Sequence, residues 1–135
     1  ADYSLLFAAD IEKGAQEALV KYDSIKSNVI KAPHHGAKSS LNEDFIKAVS
    51  PDIAVISVGY QNKYRHPSPE HIVAYEKIGA RIFRTDRDGA IFMNIGDDKI
   101  NIKTYSETTL KRINLTSPFL KIFKMEADNI SKLWI

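Results

Sequence analysis

Ile53-Ala54-Val55-Ile56-Ser57-Val58 is the clearest strand in the chain, a β-branched apolar run with almost no polar alternation, as expected of a strand inside an α/β sheet. Downstream, the polar stretch Tyr60-Gln61-Asn62-Lys63-Tyr64-Arg65-His66-Pro67 leads to Ser68-Pro69-Glu70. A serine N-cap followed by proline at the first helical position opens a helix there. Ile72, Val73, Tyr75 and Ile78 supply its apolar face, Gly79 ends it, and Ile82-Phe83 begins another strand. Upstream, Asn42 caps a helix whose Phe45, Ile46 and Val49 face the core and whose end is marked by Pro51. Val29-Ile30-Lys31-Ala32 is a further strand, stopped by Pro33, which cannot donate to a sheet ladder.

Further out, Tyr3 to Ala9 is a nearly continuous apolar run, predicted to be a strand buried on both faces and ending at Asp10. The next stretch predicts an amphipathic helix with Ile11, Ala15, Ala18, Leu19 and Tyr22 inward and Glu12, Lys13, Gln16, Glu17 and Lys21 outward. Asp88-Gly89 reads as a hairpin turn into a strand from Ala90 to Ile95, and Gly96-Asp97-Asp98 as a turn into the alternating run Lys99 to Tyr105. Strands alternating with helices and then two closing strands predict an α/β layer with a mixed β-sheet flanked by helices. Residues 1–105 form this unit. Residues 106–135, with the apolar Pro118 to Phe123 and a short pattern of Ile130, Leu133 and Trp134, read as an extension that covers the sheet or mediates association.

The chain has 135 residues, 44% of them hydrophobic and 27% charged, which suits one globular core. Cysteine is absent, so disulfide frameworks, thiolate zinc sites and cysteine nucleophiles are excluded, and any metal must be held by His, Asp or Glu. A formal net charge of +2 is too small to draw nucleic acid by long-range electrostatics. No apolar run approaches the roughly 20 residues that span a bilayer, and Ala1-Asp2-Tyr3 has no signal-peptide character. The abrupt start, without Met and directly into an apolar run, reads as a soluble piece of a longer protein.

Asp10, His34-His35 and His66 each fall at or just beyond the C-terminal end of a predicted strand, where loops of an open α/β sheet share a crevice. Each also has a plainer reading. Asp10 stands where a helix N-cap belongs. The adjacent imidazoles of Pro33-His34-His35-Gly36 are costly in a tight loop without a polar partner or ligand, yet a structural or surface pair is equally open. His66 is either a surface residue or one whose ring is braced by the prolines at 67 and 69. His71, in the first turn of the following helix, reads as a solvated or packing residue. Asp86 is a candidate for holding a loop in place, and Ser39 and Ser40 for donating hydrogen bonds to a substrate, although no general base is visible for either serine. Lys31, Lys38, Lys63 and Arg65 lie near the same edge.

Taken in order, Ala9-Asp10-Ile11-Glu12, Lys31-Ala32-Pro33-His34-His35-Gly36-Ala37-Lys38-Ser39-Ser40, Ser57-Val58-Gly59, Arg65-His66-Pro67 and Arg84-Thr85-Asp86-Arg87-Asp88-Gly89-Ala90 resemble the ComEC branch of the metallo-β-lactamase superfamily. That branch includes the hydrolase domain of a DNA-uptake channel and stand-alone hydrolases such as phosphorylcholine esterases. The resemblance covers residues 3 to 95 and implies the C-terminal half of an αββα sandwich. It implies that Asp10 bridges two divalent metal ions, zinc or manganese, that His66 is the last histidine ligand of the second, that His35 contacts the substrate phosphate, and that His34 supports it. Two positions depart from the family pattern: Ala9 replaces the usual glycine before the aspartate, and Ala37 a common serine after His-His-Gly.

The family's first half also carries a His-x-His-x-Asp-His cluster, which this chain lacks. With two protein ligands instead of the three of a usual catalytic zinc site, the chain alone is expected to be inactive. The expected partners are therefore the missing N-terminal half of the domain and, for the parent, single-stranded DNA. The parent would be a phosphodiesterase or nuclease, either within a bacterial membrane-anchored competence protein or free-standing. A non-catalytic DNA-binding or docking domain of the same fold is the rival reading, and an α/β ligand-binding domain with Asp10 as a mere cap is a third. Half of a sandwich should also expose apolar sheet surface and so favour a homodimer.

Overall fold

The computed structural model describes residues 3–21, 25–96 and 99–105. The order of elements is β1 (Leu5–Phe7), α1 (Lys13–Val20), β2 (Val29–Lys31), two short 3-10 turns (Pro33–Gly36 and Lys38–Ser40), α2 (Glu43–Val49), β3 (Ile53–Ile56), α3 (Pro69–Lys77), β4 (Arg81–Arg84), α4 (Thr85–Asp88), β5 (Ala90–Ile95) and β6 (Ile100–Tyr105). β1 to β4 form a four-stranded sheet in sequential order, every neighbour parallel. A parallel sheet wound in one direction with right-handed crossovers carries all its connecting helices to one face. In agreement, α1 packs beside α2 and α2 beside α3.

The register shows how the core is built. Leu6, Ile30, Ala54 and Ile82 stand opposite one another across the four strands. All four belong to or pack against one cluster, with Phe45, Ile46 and Val49 from α2 and Ala74 and Tyr75 from α3. Since successive strand residues alternate faces, Leu5, Val29, Ile53 and Arg81 lie on the other side, as do Phe7, Lys31, Val55 and Phe83. Phe45 is fully buried, and its truncation to alanine carries the usual cost of roughly 3–5 kcal/mol for a core aromatic.

The capped helices form as their sequences predict. Asn42 accepts from the Asp44 and Phe45 amides, and α2 ends at Ser50 in a left-handed conformation just before Pro51. Ser68 caps α3 by accepting from the His71 amide, with Pro69 at the first helical position.

Three expectations need correction. The run from Tyr3 to Ala9 gives only a three-residue edge strand, and Leu5 and Phe7 are 38% and 51% exposed, because among the described residues only one face of the sheet carries helices. Gln16, placed outward by periodicity, is fully buried, while Ala15 and Ala18 are exposed. Its amide donates to the carbonyls of Ile11 and Ser40, so a polar tie to the second loop fixes the rotation of α1. Finally, the single mixed sheet is replaced by two. After β4 the chain takes the helical turn α4, in which Asp88 accepts from the Arg84 amide, and β5 then pairs antiparallel with β6 instead of returning along β4. The expected hairpin at Asp88-Gly89 is thus absent, whereas β5 and β6 pair antiparallel as read, with Asp97 and Asp98 of the expected turn outside the described residues.

Among the described residues, no helix is long and apolar enough to cross a membrane. The extension at 106–135 lies outside the described residues.

Candidate functional site

Because β1 to β4 are parallel, the loops leaving them gather along one rim. Backbone bonds lock these loops together. The His34 amide donates to Ala9 O at 2.9 Å, tying the first loop to the second. The Ser68 amide donates to Gly36 O at 2.9 Å, tying the second to the third. Gly36 has φ +74, and a Cβ there would lie 2.6 Å from Pro67 Cβ, so only glycine lets these loops meet. Thr85 joins the fourth loop, accepting from the Val58 amide and donating to its carbonyl, both at 2.7 Å.

His34 and His35 are both left-handed, at φ 46 and 56, a conformation that costs a non-glycine residue roughly 1–2 kcal/mol. Ala9 and Arg65, on the adjoining loops, are left-handed too. Their strained backbones splay the two imidazoles apart, with ring centroids 6.3 Å apart. The His34 ring is also 6.3 Å from that of His66. Three imidazoles thus converge from two loops.

Each ring is held differently. His35 Nδ1 is 2.6 Å from Ser57 O. A carbonyl can only accept, so Nδ1 carries a hydrogen, and Nε2 is left without a hydrogen-bond partner on an exposed side chain. His34 Nδ1 is 3.4 Å from Glu12 Oε1, within ion-pair range yet without hydrogen-bond alignment, and is otherwise unpartnered. His66 is gripped by Asn62, whose side chain accepts from the His66 amide at 2.9 Å and donates to its carbonyl at 2.8 Å. The Tyr64 ring stacks on it, with centroids 5.7 Å apart and planes inclined by 18°. Burial, and then the neighbouring His34 and His35 imidazoles, hold His66 below the ordinary histidine range.

Behind this rim lies a buried polar pair. His71 is fully buried, and its ring centroid is 6.1 Å from that of Tyr75, also fully buried. Neither His71 nitrogen nor the Tyr75 hydroxyl has a hydrogen-bond partner. Burial drives His71 down to about 4, an effect that the nearby Ala37 and Gly36 backbone only partly offsets. The same burial raises Tyr75.

The remaining candidates separate. Asp10 is exposed in the first loop and does not cap α1, whose N-cap is Glu12. Ser39 is exposed, whereas Ser40 is buried, its hydroxyl directed to the Pro33 and Ala37 carbonyls, so it braces the loop from within. Asp86 takes a two-pronged contact from Arg84, at 3.0 and 2.6 Å, and so anchors the end of β4. Lys38 pairs with Glu70. Among the described residues, no three His, Asp or Glu side chains are placed to hold a metal ion. Asn62, Thr85, Glu12 and Gln16 were not singled out from the sequence as site residues. Only Asn62 carried a signal, an amide in a short polar loop three residues after Gly59, where such side chains fold back on the backbone.

The chain is 38% identical over 89 residues to ComE operon protein 3 of Bacillus subtilis, a stretch covering 65% of this chain and 12% of that protein. It is 37% identical over 95 residues to Competence protein ComA of Neisseria gonorrhoeae, covering 69% and 14% respectively. Similarity to Recombination protein 2 of Haemophilus influenzae is 26% over 100 residues, or 74% and 13%. The chain is related to proteins named for competence. It spans only about an eighth of the length of these relatives. No family model matches the chain, and no solved structure does.

Proposed function

We propose that the chain acts in competence, as one half of a phosphodiester-hydrolysing centre in a DNA-uptake protein, its helix-covered sheet being the C-terminal half of an αββα sandwich. The observation that carries this reading is the convergence of His34, His35 and His66 on one rim, with His35 Nε2 left open. When protonated, Nε2 is a donor suited to a non-bridging phosphate oxygen, and a fixed donor of that kind is worth roughly 10²–10³ in rate. The relatives named for competence supply the biological setting.

Two divalent ions, zinc or manganese, belong to the centre in this reading. Asp10 and His66 are this chain's share of the ligands, and the others come from a segment bearing His-x-His-x-Asp-His. In a polypeptide that joins such a segment to this chain, His66→Ala should lower bound zinc or manganese, because it removes one of the ligands. It should also abolish hydrolysis of a phosphodiester such as bis(p-nitrophenyl) phosphate. Unchanged metal content and turnover would refute the proposal.

A second reading, a non-catalytic DNA-binding or docking domain, draws on the lack of a three-donor cluster among the described residues. It expects salt-dependent binding of single-stranded DNA and no hydrolysis even in the joined polypeptide.

A further inference from the structure

The loop from Gly59 to His66 displays two large rings to solvent, Tyr60 at 77% and Tyr64 at 66% exposure. It is nonetheless an ordered loop. Asn62 bonds to the Gly59 carbonyl at one end and to both backbone groups of His66 at the other. Its stretch Gly59-Tyr60-Gln61-Asn62-Lys63-Tyr64-Arg65 contains two cations and no carboxylate. Lys63 and Arg65 are exposed, and neither has an ion-pair partner among the described residues. The Lys63 ammonium sits 4.9 Å from the Tyr64 ring centre, and Tyr64 stacks on His66, so aromatic face, cation and imidazole are contiguous. Held-out aromatic rings interleaved with unpaired cations match what single-stranded nucleic acid requires: faces for unpaired bases and charge for the backbone beside them. A duplex keeps its base faces stacked internally and offers no such match.

We propose that this loop is a base-stacking platform for single-stranded DNA, with Tyr60 and Tyr64 taking bases while Lys63 and Arg65 neutralise the adjoining phosphates, so that the next phosphate is led to the imidazoles. The role in hydrolysis rests on the phosphodiester reading above; the binding itself does not.

The test is fluorescence anisotropy of a labelled oligo(dT) about 15 nucleotides long, with chelator present so that neither metal nor turnover enters. The chain should bind, and Tyr60→Ala and Tyr64→Ala should each weaken binding by about 5- to 150-fold. Tyr→Phe at either site should restore it, and Lys63→Ala should reduce the slope of log affinity against log salt by about 0.7. Far-UV circular dichroism should show all variants folded, since the substituted side chains are exposed. Failure of the chain to bind oligo(dT), alanine variants that bind like the parent, or equal binding of an abasic oligonucleotide or a duplex would each overturn the platform. None of those results bears on metal content in the joined polypeptide, so the platform and the hydrolytic reading fail separately.

Discussion

The two rims of the parallel sheet are built on opposite terms. At the rim where the strands begin, polar groups satisfy one another: the Ser4 amide donates to Asn28 Oδ1 at 3.1 Å, and Asn28 donates to Asp52 Oδ2 at 3.0 Å. The backbone of Asn28 and Asp52 receives the Asp52, Ile53 and Arg81 amides, which lashes three strands together. At the rim where the strands end, five described non-glycine residues, Ala9, His34, His35, Gln61 and Arg65, are left-handed against Ser50 at the first rim, and His34 and His71 bury nitrogens without hydrogen-bond partners. Local strain and unsatisfied polar groups persist only where the surrounding structure enforces them, and they gather at sites that act on something else. The first rim is a fastening; the second is held open.

The largest expected effect sits where the open rim is most tightly enforced. Gly36→Ala adds a Cβ 2.6 Å from the Pro67 ring in a left-handed backbone. Overpacking and backbone strain together should cost roughly 2–4 kcal/mol, read as a lower urea midpoint with unchanged slope. A loss under about 0.5 kcal/mol would mean that the His34–His35 loop and the His66–Pro67 loop are not fixed against each other, and the contrast between the rims would lapse.

The next effect concerns the buried pair beneath that rim. Burial holds folded His71 at about 4, against about 6.5 in an unfolded chain. As pH falls below 6.5 the unfolded chain gains a proton that the folded one refuses until about 4, so stability present at neutral pH drains away across that window. The loss from pH 7.5 to pH 5 should be about 2 kcal/mol. His71→Leu should remove most of that slope without lowering neutral stability, since it also removes two unpartnered nitrogens. Urea midpoints at the two pH values decide it, and a variant that keeps the full acid slope would show that His71 is not its source.

Much of this arrangement was legible in the sequence. The strand at Ile53, the caps Asn42 and Ser68, and the placement of Asp10, His34, His35 and His66 in the loops that leave the strands all follow from local patterns whose physics is local. What was illegible depends on the third dimension. The apolar run at Leu5 to Phe7 does not say which face a neighbouring helix will cover, and Gln16 is buried against its helical pattern because its partner, Ser40 O, is 24 residues away. Asn62 and Thr85 act through bonds to loop backbone, which leave no periodic trace. The reading of Asp10 as a helix cap failed for a simpler reason: the helix begins three residues later, at Lys13.

A matched pair of substitutions sets the two fastenings side by side. Asn28→Ala breaks the first rim's network and Asn62→Ala the grip on His66, and each should cost about 1–2 kcal/mol. Their other consequences should differ. Asn62→Ala should broaden or shift the His66 ring resonances in NMR while Asn28→Ala leaves them in place; the reverse, or no difference, would remove the distinction between a structural and a functional rim.

The smallest effect has the most diagnostic sign. Ala9 is left-handed at φ 45, and its carbonyl holds the His34 amide. Replacing it with glycine relieves roughly 1–2 kcal/mol of backbone strain and adds about 0.5–1 kcal/mol of chain entropy, so Ala9→Gly should stabilise by about 0.5–1 kcal/mol. Five residues on, Gly14 lies in the first turn of α1 with nothing within 4 Å of where a Cβ would stand, so Gly14→Ala should stabilise by a similar amount through the opposite exchange. Two inverse substitutions in one short segment, each gaining stability, are explained only if the strain sits at the rim and stops short of the helix. If Ala9→Gly instead costs stability, the first loop is not strained, and the open rim begins at His34.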